Sequence, residues 1–309
     1  MADGNAQADI RGIDIDKVAK SFADEEIKLK RFVVNSTTSA REIRWYAKTA
    51  GFLDSSDTTG ITASQIANVD FKSRPVSVEQ SWTRQTSYVR KYFVESPMLA
   101  EEDIRDSDIS LLITNVRDLV RAVEHQVDLR ICDVLSNNFS GATATSGVPN
   151  VVKTVYTWDE EGTGSGANII KDIMTAKVLI RQNGYDPEGA IIMMNSVDHA
   201  SMLNWLITQK GSSIPAFSSQ KVESGVVMEL LGLRVVVDEN VTPNRTAEGY
   251  SGASVVFVPN RSATWKTFTP ITSVVTDEPL IGKKIRVAEE GEAILTDPKS
   301  VVILYDTRY

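Results

Sequence analysis

The stretch "EEDIRDSDISLLITNVRDLVRAVEHQVDLRICDVLS", residues 101–136, decides how the chain is read. Ile109, Leu112, Val116, Leu119, Val123, Val127, Ile131 and Val134 recur every three or four residues, the spacing of one helix face. Arg117, Arg121, Glu124 and Asp128 are expected mostly on the other face. "DSD" at 106–108 offers a cap and negative charge at the positive end of the helix, and "SNNFSG" at 136–141 ends it. About 28 residues at a rise of 1.5 Å give a rod of ~42 Å. The mean helix has about 11–12 residues, so this one reads as an architectural spine.

Upstream, residues 70–95 alternate through Val76, Val78, Gln80, Trp82, Tyr88, Arg90, Tyr92 and Val94. A period of two predicts two strands joined around "TRQT" at 83–86. Such a two-stranded hairpin is marginal in water unless it rests on something else. Residues 1–60 read as an arm. "DIDKVAKSFADEEIKLKRFVV" (14–34) carries a helical stripe through Ile15, Val18, Phe22 and Leu29. "NSTTS" (35–39) reads as a polar linker. "SAREIRWYAKTAG" (39–51) reads as a second short helix, capped by Ser39 and stopped by Gly51. Short amphipathic pieces make no core of their own.

Downstream, "NNFSGATATSGVPN" (137–150) reads as a loop and a boundary. A strand "VVKTVY" (151–156) follows, then a helix over about 168–182 with Ile169, Ile173, Ala176 and Ile180 on one face. Gly184 stops that helix and Pro187 blocks its continuation. "GAIIMM" (189–194) is a continuously apolar strand, expected to be covered on both faces. A helix over 197–210 comes next, with Ser196 as its cap. From 212 onward the chain turns to β, with strands at "VVMEL", "LRVVVD", "ASVVFVP", "SATWKTF", "KKIRVAEE" and "SVVILYD" and prolines between or at the ends of them. The fold class is α+β.

Composition narrows the function. The chain has 309 residues, 42% of them hydrophobic and 24% charged, enough for a real core. Its net charge of −8 argues against a dedicated nucleic-acid reader and leaves room for a local basic patch. No apolar run is long enough for a membrane span, and the start lacks the pattern of a secretory signal. Cys132 is the only cysteine, so no disulfide forms within the chain, and its setting predicts a small buried hydrophobe. His125, Cys132 and His199 have no metal-ligand spacing.

Catalytic chemistry finds no support. Asp198 and His199 are neighbours in a helix, and neighbouring side chains there diverge. A working base needs its orienting partner within hydrogen-bond reach, so Asp198 reads as a first-turn acid. His125 reads as a helix-surface residue. Gly162, Gly164 and Gly166 precede a helix, as in a phosphate loop, but the lysine and the spacing of one are missing. Glu101–Glu102 and Glu289–Glu290 read as solvated or as subunit contacts. No catalytic, cofactor or metal site is expected. An arm, a hairpin and a spine that each need outside support suggest an interlocking shell.

At this point the chain resembles the major capsid proteins of tailed bacteriophages, the Hong Kong 97-like shell fold. Residues 89–137, from "VRKYFVESPMLAEEDIRDSD" into the spine, are similar to the family's strand, acidic lead-in and spine helix. "IMTAKVLIRQNGYDPEGAIIMMNSVDHASML" (173–203) resembles its axial-domain pattern, in which an Asn or Asp opens the second helix. "LLGLRVVVDENVTPN" (230–244) resembles a further segment, with Leu233–Arg234 where the family has a small residue and a proline.

The resemblance implies an arm over 1–69, an extended hairpin (E-loop) over 70–100 and the spine with the first part of a peripheral domain over 101–150. An axial domain over 151–250 and returning peripheral strands over 251–309 complete it. It implies self-assembly into pentamers and hexamers around double-stranded DNA, in a virion capsid built in the host cytoplasm. Implied partners are neighbouring capsomers, a portal, scaffolding or decoration proteins, and packaged DNA contacted without sequence readout; no membrane is implied. There is no room for a cleaved delta domain. Lys72 and Lys91 lie near the hairpin, and no motif nominates a cross-linking partner for them. Trp82, Tyr88 and Tyr92, with Arg84 and Arg90, are the expected interface residues, since aromatics and arginines dominate interface energetics. Two alternatives stay open: an encapsulin-type nanocompartment shell, and an α+β enzyme built on Gly162–Gly166.

Overall fold

The computed structural model describes residues 19, 29–50, 70–74, 81–106, 111–136, 150–159, 168–210, 229–241, 244–245, 250–279 and 281–308. The first five strands are β1 (Val34–Thr37), β2 (Glu42–Ala50), β3 (Ser81–Tyr88), β4 (Arg90–Glu95) and β5 (Leu99–Ala100). Helices α1 (Glu101–Asp106) and α2 (Leu111–Ser136) follow. Then come β6 (Asn150–Lys153), α3 (Ile169–Gln182), β7 (Ile191–Met194) and α4 (Ser196–Lys210). The remaining strands are β8 (Glu229–Leu230), β9 (Leu233–Val237), β10 (Asn244–Arg245), β11 (Tyr250–Phe257), β12 (Ala263–Glu278), β13 (Gly282–Leu295) and β14 (Val301–Arg308).

The chain divides into two compact units, each made of separate stretches. Unit one takes Met1–Ile43, Ser87–Ile131 and Trp265–Ile294. Its sheet runs β1-β12-β13-β4, with β5 also paired to β13. The apolar face of α2 meets this sheet: Leu112, Val116, Val120 and Val123 cluster with Ile271, Ile285 and Val287. As expected, α2 is long, 26 residues or ~39 Å. Arg117, Arg121 and His125 are exposed, but Glu124 and Asp128 are buried, contrary to their expected place on the outer face. They lie beside Val123 and Val127, in a stripe widened by what packs on it. The expected cap at 106–108 is outside the described residues for 107–108.

Unit two takes Arg44–Thr86, Cys132–Thr264 and Leu295–Tyr309. Its sheet runs β6-β14-β11-β7-β9-β8, with β10 on β11. β7 lies between β11, antiparallel, and β9, parallel. All four of its residues are buried, as the unbroken apolar run predicts. Ile192 and Met194 join Ile173, Ala176 and Ile180 of α3 and Met202, Trp205 and Leu206 of α4 in one core. The Asn168 carboxamide oxygen caps α3 by accepting from the Lys171 amide. Gly184, at φ +83°, turns the chain out of the helix, a left-handed conformation that costs other residues a steric penalty. α4 is opened by Asn195, whose side chain accepts from the Val197 amide, and not by Ser196. Cys132 is buried and its thiol donates to the Asn240 carbonyl.

The N-terminal reading needs correction. Residues 42–50, expected as helix, are strand β2. Ile43 and Trp45 turn inward between exposed Arg44 and Tyr46, a period of two that the helical reading overrode. The expected linker at 35–39 is mostly β1, part of the sheet of unit one. The strands expected to pair around "TRQT" do not pair with each other. β3 runs through those residues and pairs with β2, while β4 pairs with β13 from Arg286↔Glu95 to Gly291↔Arg90. Apart from Ala19, which is helical and buried, the helical stripe expected in 14–28 lies outside the described residues. So does the glycine loop at 162–166. β12 and β13 are longer than expected, 16 and 14 residues. Pro270 sits exposed inside β12, whose neighbour β1 has only 4 residues and covers part of it.

One local conflict makes a stability prediction. β8 and β9 pair Leu230↔Leu233 across a two-residue turn. Its central residues are Leu231 at φ +55° and Gly232 at φ +76°. Such a turn suits Asn-Gly, because Asn tolerates a positive φ and leucine does not. Leu231 is exposed, so little packing is lost on replacing it. Leu231→Asn is expected to raise subunit stability by about 1 kcal/mol. A shift of the chemical-denaturation midpoint checks it.

Candidate assembly interface

The residues expected at an interface fall into two groups. Trp82 and Arg84 on β3 are exposed, as is Tyr88 at its end, with relative exposures of 54% for Trp82 and 66% for Tyr88. Their strand is half of the two-stranded β2-β3 sheet, whose other strand exposes Tyr46. Phe93 on β4 is exposed too, with the Lys91 ammonium 5.2 Å from its ring. Large aromatic surface on narrow strands is what an interaction surface presents.

Tyr92 is turned inward, whereas Arg90 is exposed and reaches a buried carboxylate with its guanidinium. Tyr92 is half-buried and its ring lies 6.3 Å from that of Trp265, centroid to centroid. Arg90 places Nε 3.2 Å from the buried Glu292 carboxylate. Arg130 of α2 reaches the other oxygen of Glu292 at 2.5 Å, and the Ser87 hydroxyl donates to that same oxygen. These contacts hold β4, α2 and β13 together within unit one.

Charge inside unit one was hard to foresee from local pattern. Glu289 was expected to be solvated or at a subunit contact, yet it is fully buried inside unit one. The signal was its parity: Ile285, Val287, Glu289, Gly291 and Ala293 alternate onto the buried face of β13. Lys30 forms an ion pair with Glu289 at 2.5 Å and stands 3.6 Å from Glu124. Its neighbour Leu29 donates its amide to Asp128. Burial, then the Glu289 charge, push the Glu124 carboxyl up to about 8. Glu290 is half-buried and pairs with Lys91.

The Asp198 carboxylate is taken up by β14. Asp198 is buried and accepts from Arg308 Nε at 2.6 Å and from the Thr307 hydroxyl at 3.2 Å. Burial raises its carboxyl above the usual range, against the pull of Arg308. Its role is to tie α4 to β14. Among the described residues no group of three or more His, Cys, Asp or Glu is placed to hold a metal. Among them also, no helix is long and apolar enough to cross a membrane.

Comparison with known proteins gives these observations a family. No curated protein sequence matches the chain. Solved structures do match in fold. The capsid of the cyanophage P-SCSP1u aligns over 90% of this chain and 88% of its own, with a TM-score of 0.64 at 11% identity. The capsid of a native GTA particle aligns over 99% and 98%, with a TM-score of 0.60 at 12% identity. A virus-like particle from Pyrococcus furiosus aligns over 94% and 98%, with a TM-score of 0.58 at 9% identity. The fold is therefore the Hong Kong 97-like shell fold. A family model described as phage capsid protein matches residues 98–303, from β5 through α2 and both sheets into β14. The chain belongs to the phage capsid protein family, as a structural shell protein of the tailed-phage major capsid type.

Proposed function

We propose that the chain closes into pentamers and hexamers of an icosahedral shell around double-stranded DNA. The observation that carries this reading is the family match over residues 98–303, joined to an exposed aromatic strand pair. Heterologous contacts that close by rotation make rings. In our reading the hairpin that reaches a neighbouring subunit is β2-β3, with residues 51–80 as its connection, and not residues 70–100 alone. Trp82, Arg84 and Tyr88 then make the contact between subunits, while Tyr92 packs on Trp265 within unit one. Unit one would supply the peripheral domain and unit two the axial domain. DNA would be met through scattered Lys and Arg without base readout. Assembly would take place in the host cytoplasm, around a portal and with or without a scaffolding protein.

The fold match to a virus-like particle from Pyrococcus furiosus keeps open a second reading, an encapsulin-type compartment that would enclose protein. The contents of the particle decide between them. Particles from phage-producing cells, treated with nuclease and then opened, are expected to release double-stranded DNA as the main content. Particles that release protein cargo and no DNA would overturn the first reading in favour of the second.

A further inference from the structure

The charges buried beside the spine in unit one do not balance. Lys30 faces two carboxylates, Glu124 on α2 and Glu289 on β13, with Asp128 a further charge beside Glu124. Glu124 and Glu289 are 1% and 0% exposed. Neither Glu124 oxygen and only one Glu289 oxygen finds a hydrogen-bond donor. Asp128 accepts the Leu29 amide at 3.2 Å. Aromatic rings close the remaining side: the Lys30 ammonium lies 5.6 Å from the Trp265 ring, against which Tyr92 packs. The other buried charge nearby, Glu292, is taken up by Arg130 and Arg90. Among the described residues, Lys30 is the cation that meets both Glu124 and Glu289.

A proton resolves the imbalance. Protonated Glu124 is neutral and donates to Glu289, which then pairs with Lys30 as one acid with one base. Ionised Glu124 leaves an uncompensated charge in a low-dielectric interior, which is strongly destabilising. The segment held by this cluster is short. Leu29 is fully buried and Lys30 nearly so, and together they seat the chain on α2 just before β1.

We propose that the cluster is a proton-dependent latch: protonated Glu124 keeps Leu29 and Lys30 seated on α2, and loss of that proton as pH rises toward the alkaline range unseats them. The sign follows from linkage. An unfolded glutamate loses its proton near its ordinary value of about 4.3. The folded chain keeps that proton up to about pH 8. Its contribution to stability is therefore complete below the ordinary value and declines as pH rises through that window. The latch belongs to the subunit and does not depend on the shell reading.

Hydrogen exchange of the full chain, corrected for the intrinsic pH dependence of exchange, tests the latch. Protection of residues 29–33 is expected to fall by up to about tenfold per pH unit as pH rises from the ordinary glutamate range to about pH 8 and to level off above it, while β12 and β13 stay protected. Glu124→Gln supplies a permanently neutral donor and is expected to hold protection flat. Glu289→Gln leaves Glu124 as the sole partner of Lys30 and is expected to flatten the profile as well. A wild-type profile that is flat from about pH 5 to about pH 8, or a fall that persists in whichever variant folds, would overturn the proposal.

Discussion

Chains carrying Trp82→Ser and Tyr88→Ser together are expected to fold and to form no closed particles. Both side chains are more than half exposed in the subunit. Surface substitutions of this kind change stability by about 0.5 kcal/mol or less. At an interface the same side chains matter far more. A Tyr or Trp buries about 150–250 Å² when covered, and truncating an aromatic anchor costs about 2 kcal/mol or more. In a closed shell that loss recurs at every equivalent contact. Size-exclusion chromatography reads assembly, and circular dichroism with a melting curve reads folding. Intact shells from the double variant would remove β3 from the interface. Tyr92→Ser is the contrasting control. Tyr92 packs on Trp265 within unit one, so its loss should lower the melting temperature of the subunit itself.

The second large effect is expected at Arg308. Its Nε meets Asp198 at 2.6 Å, and its Nη2 donates to the Asn195 carboxamide oxygen at 2.8 Å. Asn195 in turn donates to Glu239 at 2.7 Å. The end of β14, the start of α4 and the residues after β9 are thus fastened by one guanidinium. Arg308→Met fills much of the same space and removes the charge. Asp198, 1% exposed, would then be left without its cation. Breaking a buried pair from one side costs about 3–5 kcal/mol. Adding Asp198→Asn removes the stranded charge, and part of the loss should return. Denaturant titration of the unassembled subunits measures both steps. A single variant within 1 kcal/mol of the parent, as an order-of-magnitude bound on a broken buried pair, would contradict this account of the C-terminal strand.

Much of the fold was legible because local and tertiary demands agree. The α2 stripe, the stop of α3 at Gly184, and the unbroken apolar run of β7 are each dictated by neighbours in sequence, and each stands where the spacing puts it. The misreadings share a different cause. β2 pairs with β3 across the residues 51–80, and a separation of that size leaves no turn signal to read. Short strands such as 42–50, rich in Arg, Ala and Lys, carry helical propensity that pairing overrides. The site was less legible than the fold. Trp82 and Tyr88 were visible as aromatics on an alternating strand. Glu124 and Glu289 looked like surface acids because each is locally unremarkable, and burial comes from a lysine roughly a hundred residues or more away in sequence. Parity along β13 was the one clue to Glu289. Nothing near Glu124 marked it.

Electron microscopy of the purified full-length chain tests the central claim most directly. Closed shells of uniform size, with capsomers of five and six subunits joined through β2-β3, are the predicted result. A compact monomer that stays dispersed at every concentration, with Trp82 and Tyr88 folded back onto its own surface, would contradict the account.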